Sequence, residues 1–436
     1  MRSTLIAGVL ALTALAPLRA EQEFAGAVWV GCAGAASIPG AWYCPPERWT
    51  WILAQPEFKY LHWQTTVDNP QAMENYGRAR EMLAEAKAAG KHNTMQFWVN
   101  HDGYFNASFH SIPNMVFLLS VRMQVWAGIA EWIEFYGPEN LDSVCLWEET
   151  AGTSNEHWDL GEPAEDWRNN RHSVVDGAWQ SDAHPDNPWI IGRDPAKRDG
   201  PYMSSVRNHA AAIRAESGLD VMHPEAWSPQ QWQRWRQYAS RRFIGDVRAQ
   251  FDEFCAREFG MQTITWSYTA MAGDKFCDVG YERDRGVDGA MVNCYGSDGW
   301  VYGMFRAMRT LFPGEEHEVH ALIHNDRDLD TLRRQTALAW SAGMTSVGYF
   351  SGNNNRRWDA GLDDALTVLR EFGKRPVLAD PYPLLVICDD YYRPTHTLLP
   401  TRFDVVSSVD RYAIDESRYE RVIDLTGGVA QGLWGE

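Results

Sequence analysis

The stretch Ser143–Val144–Cys145–Leu146–Trp147–Glu148–Glu149 runs a short apolar segment abruptly into an aromatic residue and two adjacent carboxylates. A run this short and this apolar predicts a buried strand. In a barrel of parallel strands, the carboxyl end of each strand is where reactive groups stand. A buried strand that ends in Trp–Glu–Glu therefore fits the floor of a site. Taken alone, the two glutamates would equally well begin a solvated loop, so the rest of the chain has to decide.

Outward from this stretch, short apolar runs alternate with longer helical patterns, the rhythm of a parallel α/β barrel. The strands expected are Ala27–Gly31, Tyr60–Thr65, Thr94–Val99, Ser143–Trp147, Thr263–Ser267, Ala290–Cys294, Val319–Ile323 and Ser346–Phe350. Eight is the number that closes a (β/α)8 TIM barrel. Helical periodicity predicts helices over 72–89, 115–136, 301–312, 329–342 and 361–373, and one long helix from Pro229 to Phe259. In that long helix Trp232, Trp235, Ala239, Phe243, Val247, Phe251 and Phe254 recur every three or four residues, a core stripe. Residues 150–207 are rich in Asp, Asn, Pro, Gly and Trp without periodicity, which predicts an ordered wall over the barrel mouth. Beyond Pro376, Leu384–Cys388, Phe403–Val406 and Val422–Leu425 predict a small C-terminal α/β appendage, too short for an independent core. The expected division is residues 1–20 as a signal peptide, 21–376 as the barrel and 377–436 as the appendage.

The leader is read from Arg2, the apolar run Leu5–Leu15 and the small residue Ala20, the pattern of a secretory signal. No later segment reaches the roughly 20 continuous apolar residues of a membrane span. A secreted or periplasmic protein is expected. Its formal charge of −18 argues against nucleic acid or anionic membrane as partner. A homo-oligomer is left open. Twenty-one Trp, 17 Tyr and 17 Phe exceed what a core of this size needs, and the flat face of Trp with a donor at its edge suits sugar rings. Of the seven cysteines, Cys32 and Cys44 could close a short disulfide, and Cys255, Cys277 and Cys294 could supply another. Cys145, inside an apolar strand, reads as a buried thiol. With no zinc-type spacing, no metal and no cofactor are assigned.

The residues just beyond each expected strand form the candidate site. They are His62, Trp63 and Gln64; Trp98, Asn100, His101 and Asp102; Trp147, Glu148 and Glu149; and Trp266 and Tyr268. The later strands add Asn293, Tyr295 and Asp298; His324, Asn325 and Asp326; and Phe350, Ser351 and Asn353. Stacking faces, amides and acids together are the inventory for gripping a polyhydroxylated substrate. Cleavage of a glycosidic bond uses two carboxyl groups that flank it. Glu149 is the expected general acid, because an aromatic-lined pocket and the adjacent Glu148 both raise its pKa. Trp63, Trp98, Trp266 and Tyr295 are expected to line sugar subsites, with His62, Asn100, Asp102 and His324 as further binding groups.

Trp147–Glu148–Glu149 resembles the Trp–Asn–Glu of clan A glycoside hydrolases, whose fourth-strand Glu is the acid/base. Ser228–Pro229–Gln230–Gln231–Trp232 is similar to a helix start in the family 42 β-galactosidases. So is Gln335–Thr336–Ala337–Leu338–Ala339–Trp340–Ser341–Ala342–Gly343, which leads into Val347–Gly348–Tyr349–Phe350. The C-terminal appendage resembles a shortened form of that family's flavodoxin-like domain. The resemblance implies a clan A barrel acting on a carbohydrate, with two departures. Glu148 stands where the family has Asn. The seventh strand, His320–Ala321–Leu322–Ile323–His324, has no carboxylate where the family's nucleophile would be, and Glu318 stands at its beginning. Three readings follow. Asp298, Asp326 or Asp102 pairs with Glu149; the Glu148–Glu149 pair works with His324 or His62; or the barrel keeps glycan binding alone.

Overall fold

The computed structural model describes residues 22–32, 44–66, 77–98, 112–146, 209–223, 226–228, 230–231, 234–235, 238, 241–267, 280, 283–294, 298–324, 328–350, 360–388, 402–408 and 410–426. Eight parallel strands close into a barrel in sequence order: β1 (Ala25–Cys32), β2 (Phe58–Thr66), β3 (His92–Trp98), β4 (Ser143–Leu146), β5 (Gln262–Ser267), β6 (Gly289–Asn293), β7 (Glu318–His324) and β8 (Ser346–Phe350). Closure is made by β1 against β8, with Ala25 paired to Ser346 and Val28 to Tyr349. The chain is a (β/α)8 TIM barrel, as the spacing of apolar runs predicts.

Around the strands lie helices α1 (Pro46–Ala54), α2 (Gly77–Ala88), α3 (Ile112–Phe117), α4 (Leu119–Tyr136), α5 (Ala210–Ser217), α6 (Ala249–Phe259), α7 (Asp298–Leu311), α8 (Leu329–Ser341) and α9 (Ala360–Phe372). Two expectations about the helices are corrected. The span 115–136 is broken at Leu118 into α3 and α4. The long helix expected to run from Pro229 is π-helical over Arg241–Arg248 before α6 begins. Helix α1 is not among the expected helices. Pro46 occupies its first helical position, where its missing N–H costs nothing.

Alternation along the strands builds two cores. Leu61, Met95, Phe97, Val144, Ala290, Val292, Val319, Ala321, Ile323 and Val347 face the helices and join one continuous buried cluster. Trp29, Cys145, Ile264, Met291 and Leu322 form a separate apolar cluster inside the barrel. Cys145 is accordingly buried, as its setting predicts. Cys255 is a free, buried thiol whose pKa burial pushes well up, so it takes no part in a disulfide. Cys44 is buried, whereas the side chain of Cys32, its expected partner, and Cys277 lie outside the described residues.

Strands β6 and β7 approach closely at Gly289, paired to Glu318. A Cβ at Gly289 would stand 2.0 Å from the Glu318 carbonyl oxygen, a backbone atom that cannot swing away. Gly289→Ala is expected to destabilise the barrel by at least about 1–3 kcal/mol, the usual cost of overpacking. An unchanged urea midpoint would show that the strands can part at no cost.

Beyond the barrel, β9 (Leu384–Cys388), β10 (Asp404–Ser407) and β11 (Arg421–Asp424) form a parallel sheet in the order β10–β9–β11. It is fastened to α7 through buried polar groups. The Arg306 guanidinium and the Asp404 carboxylate pair at 2.6 Å, both 1% exposed. Arg306 also donates to the carbonyls of Ala342, Leu378 and Asp380, and lies over the Tyr382 ring. Asp404 further accepts from the Tyr382 N–H and the Tyr419 hydroxyl. Among the described residues, no helix is long and apolar enough to cross a membrane.

Candidate functional site

In a parallel barrel the side chains along each strand point alternately inward and toward the helices. Read from amino to carboxyl end, the inward positions are Tyr60, His62 and Gln64 on β2; His92, Thr94 and Gln96 on β3; and Glu318, His320, Leu322 and His324 on β7. Three levels result. The floor holds Tyr60, His92, His320, His62 and Glu318. The apolar cluster around Trp29 and Met291 adjoins it. Toward the carboxyl ends come Gln64, Gln96 and Asn293, all buried, with the half-buried His324 closing β7. The register joins them: Gln64 pairs with Gln96, and Asn293 with Leu322. This upper level of amide and imidazole groups is what the described residues contribute to the barrel mouth.

The expected site residues fall into three groups. Glu148, Glu149, Asn100, Asp102, Tyr295 and Asp326 lie outside the described residues, as do the side chains of Trp98 and Trp266. The backbone of Trp98 ends β3 opposite Thr66, and that of Trp266 pairs with Met291. His324 stands at the carboxyl end of β7, as expected.

Of the remaining three, Trp63 and His62 are corrections. Trp63 points away from the barrel interior. Its indole N–H donates to Asn93 Oδ1 at 3.0 Å, its ring meets Trp49 edge-on at 5.6 Å, and it is 3% exposed. Asn93 in turn donates to the carbonyls of Leu83 and Asn140, so Trp63 is fixed by a buried polar node beneath the helices. It cannot line a subsite. His62 does point inward, but it is 1% exposed and walled by Trp29 and His320, below the mouth. Asp298 begins α7 at the rim, where its carboxylate takes the Arg334 Nε–H at 3.0 Å from α8. Its geometry is that of an interhelical tie.

The floor cluster is the feature that the sequence reading missed. Glu318 Oε2 lies 3.4 Å from both His92 Nε2 and His320 Nε2. His320 Nδ1 meets Ser346 Oγ at 2.8 Å, and the rings of Tyr60 and His320 pack 4.8 Å apart. Burial pushes the Glu318 carboxyl up, but the neighbouring His320, His92 and Lys59 outweigh it and hold the carboxyl below its usual range. Burial lowers His92 and, far more, His62. The signal was present in the period-two polar positions Glu318, His320 and His324 of an otherwise apolar strand. Among the described residues, no three His, Cys, Asp or Glu side chains are arranged to hold a metal ion.

No protein-family model matches the chain, and no curated protein matches it in sequence. Solved structures resemble it at low identity, among them the following three. The catalytic domain of a beta-amylase from Paenibacillus polymyxa is 10% identical, with a TM-score of 0.49, over 82% of this chain and 100% of that one. A D-psicose 3-epimerase is 9% identical, with a TM-score of 0.36, over 80% of this chain and 98% of that one. The flavin-binding domain of baker's yeast flavocytochrome b2 is 9% identical, with a TM-score of 0.34, over 97% of this chain and 80% of that one. None of these likenesses bears on the chemistry.

Proposed function

We propose that this chain is an exported glycoside hydrolase in which Glu149 protonates the leaving glycosidic oxygen. One observation carries the reading: β4 is a strand of a closed parallel barrel, and its carboxyl end at Leu146 continues directly into Trp147–Glu148–Glu149. Catalytic groups of such barrels come from that end. The polar level of Gln64, Gln96, Asn293 and His324 supports it, since amides and imidazoles suit the paired donors and acceptors of sugar hydroxyls. Glu148 would bind a hydroxyl or tune its neighbour. With Asp298 tied to Arg334, the second carboxyl group falls to Asp326, two residues past the end of β7, or to Asp102, beyond β3.

The test is release of new reducing ends from a panel of oligo- and polysaccharides by the purified protein. Cleavage of at least one substrate supports the reading, and proton NMR of the first-formed anomer then reports the stereochemical course. A second reading rests on β7. Its carboxyl end is His324, and the carboxylate of that strand, Glu318, stands at the opposite end, in the floor. A barrel without the usual pair could bind glycans without cleaving them. Saturable glycan binding with no reducing ends released would establish that reading and overturn hydrolysis.

A further inference from the structure

The barrel floor contains an imidazole that no described residue satisfies. His62 is 1% exposed, and neither of its ring nitrogens has a hydrogen-bond partner. Its ring packs 5.2 Å from that of His320 and 6.4 Å from that of Trp29. The titratable groups turned toward it are few. On its own strand stands Tyr60, which burial and Glu318 keep protonated. From β7 come His320 and Glu318, and from β3 His92. At longer range Lys59 acts on Glu318, and Asp142 and Lys87 act on His92. Glu318, the carboxylate in contact with the cluster, lies 3.4 Å from His92 and from His320, without a hydrogen bond from either. A proton added to His62 therefore creates a buried cation with no anion of its own, and such a charge is expelled or breaks the packing around it.

Solvent has a route to this cluster. Glu318 lines a cavity of about 800 Å³ at the amino-terminal mouth of the barrel, together with Gly26, Glu57, Lys59 and Gln262. Protons can thus reach the edge of the cluster at Glu318 without the fold first coming apart.

We propose that the His62–His92–His320–Glu318 cluster is an acid-sensitive latch in the barrel floor, closed while His62 is neutral and forced open when it is protonated. The strands it holds together, β2, β3 and β7, also carry Gln64, Gln96 and His324 toward the mouth. Opening the floor therefore disturbs the upper level from below, whatever that level binds. The sign follows from linkage. His62 and His92 bind their protons less readily folded than unfolded, so their contribution is complete above about pH 6.5 and is lost as pH falls below it. Glu318 works in the opposite range, its contribution failing only below the ordinary carboxylate region. Each proton excluded from the folded state makes the unfolding constant rise about tenfold per pH unit.

The experiment is urea unfolding of the full chain and of His62→Phe between pH 7.5 and 5. Below pH 6 the wild-type unfolding constant is expected to rise about tenfold per pH unit more steeply than that of the variant. Comparing slopes cancels the partly buried His209, whose pKa burial also lowers. Equal slopes overturn the proposal. Should the variant fail to fold, histidine-labelled wild-type protein gives the answer by NMR. At least two of the 13 imidazoles should titrate below the usual 6.5. If all titrate near 6.5, the usual value, the latch does not exist.

Discussion

Glu149→Gln is expected to lower kcat/KM on a cleavable glycan by about 10²–10⁴-fold, the range that a positioned general acid supplies. Glutamine keeps the size and hydrogen-bonding capacity of the side chain but has no proton to give the departing oxygen. The loss should therefore appear in kcat while KM moves little. Leaving-group chemistry makes the test sharper. An aryl glycoside whose phenolate departs without protonation should lose much less rate than an ordinary disaccharide. Glu148→Gln, which removes a charge beside the acid but not the acid itself, should cost far less than Glu149→Gln. Equal rates for Glu149→Gln and wild type on the disaccharide would remove Glu149 from the mechanism, whatever other residue then acts. If the chain only binds glycans, the same substitution should cost about 1 kcal/mol of affinity, one hydrogen bond.

The second large effect is on stability. Asp404→Ala is expected to destabilise the protein by about 3–5 kcal/mol, measured as the shift in urea midpoint at constant slope. Arg306 would be left as a buried guanidinium with carbonyl partners but no counter-charge. The Tyr382 N–H and the Tyr419 hydroxyl would lose their acceptor in the same step. A pair this enclosed costs more to break than to replace, so Arg306→Met combined with Asp404→Leu should recover most of the loss. A shift below about 1 kcal/mol would mean that water enters the seam between α7 and β10 and that the pair behaves as a surface one.

The eight barrel strands were legible because each is a short apolar run between helical patterns, and only eight parallel strands in succession account for that rhythm. The position of Glu318 was legible too. In a parallel barrel the first residue of every strand lies at the same end, so a carboxylate at the start of β7 belongs to the floor. Inward and outward faces were not legible. His62 and Trp63 are neighbours in sequence, and both look suited to a site. Barrel strands are buried on both sides, within the barrel and beneath the helices, so apolarity cannot tell one face from the other. The contacts decide it. Trp63 reaches Asn93 and Trp49 on the helix side, Thr65 meets the Tyr136 hydroxyl there, and His62 reaches His320 across the interior.

Asp298 shows the same division. One sequence offers it as a catalytic carboxylate and as a helix-start residue alike, and in the fold it begins α7 and meets Arg334 from the next helix. The convergence of His92 from β3 with Glu318 and His320 from β7 is likewise invisible along the chain, since 226 positions separate His92 from Glu318. Local pattern alone determined the number, order and direction of the strands, because hydrophobic periodicity and turn chemistry act over a few residues. Which side chains meet was decided only by closing the barrel, because burial on both faces of every strand and pairing across its diameter are properties of the closed cylinder.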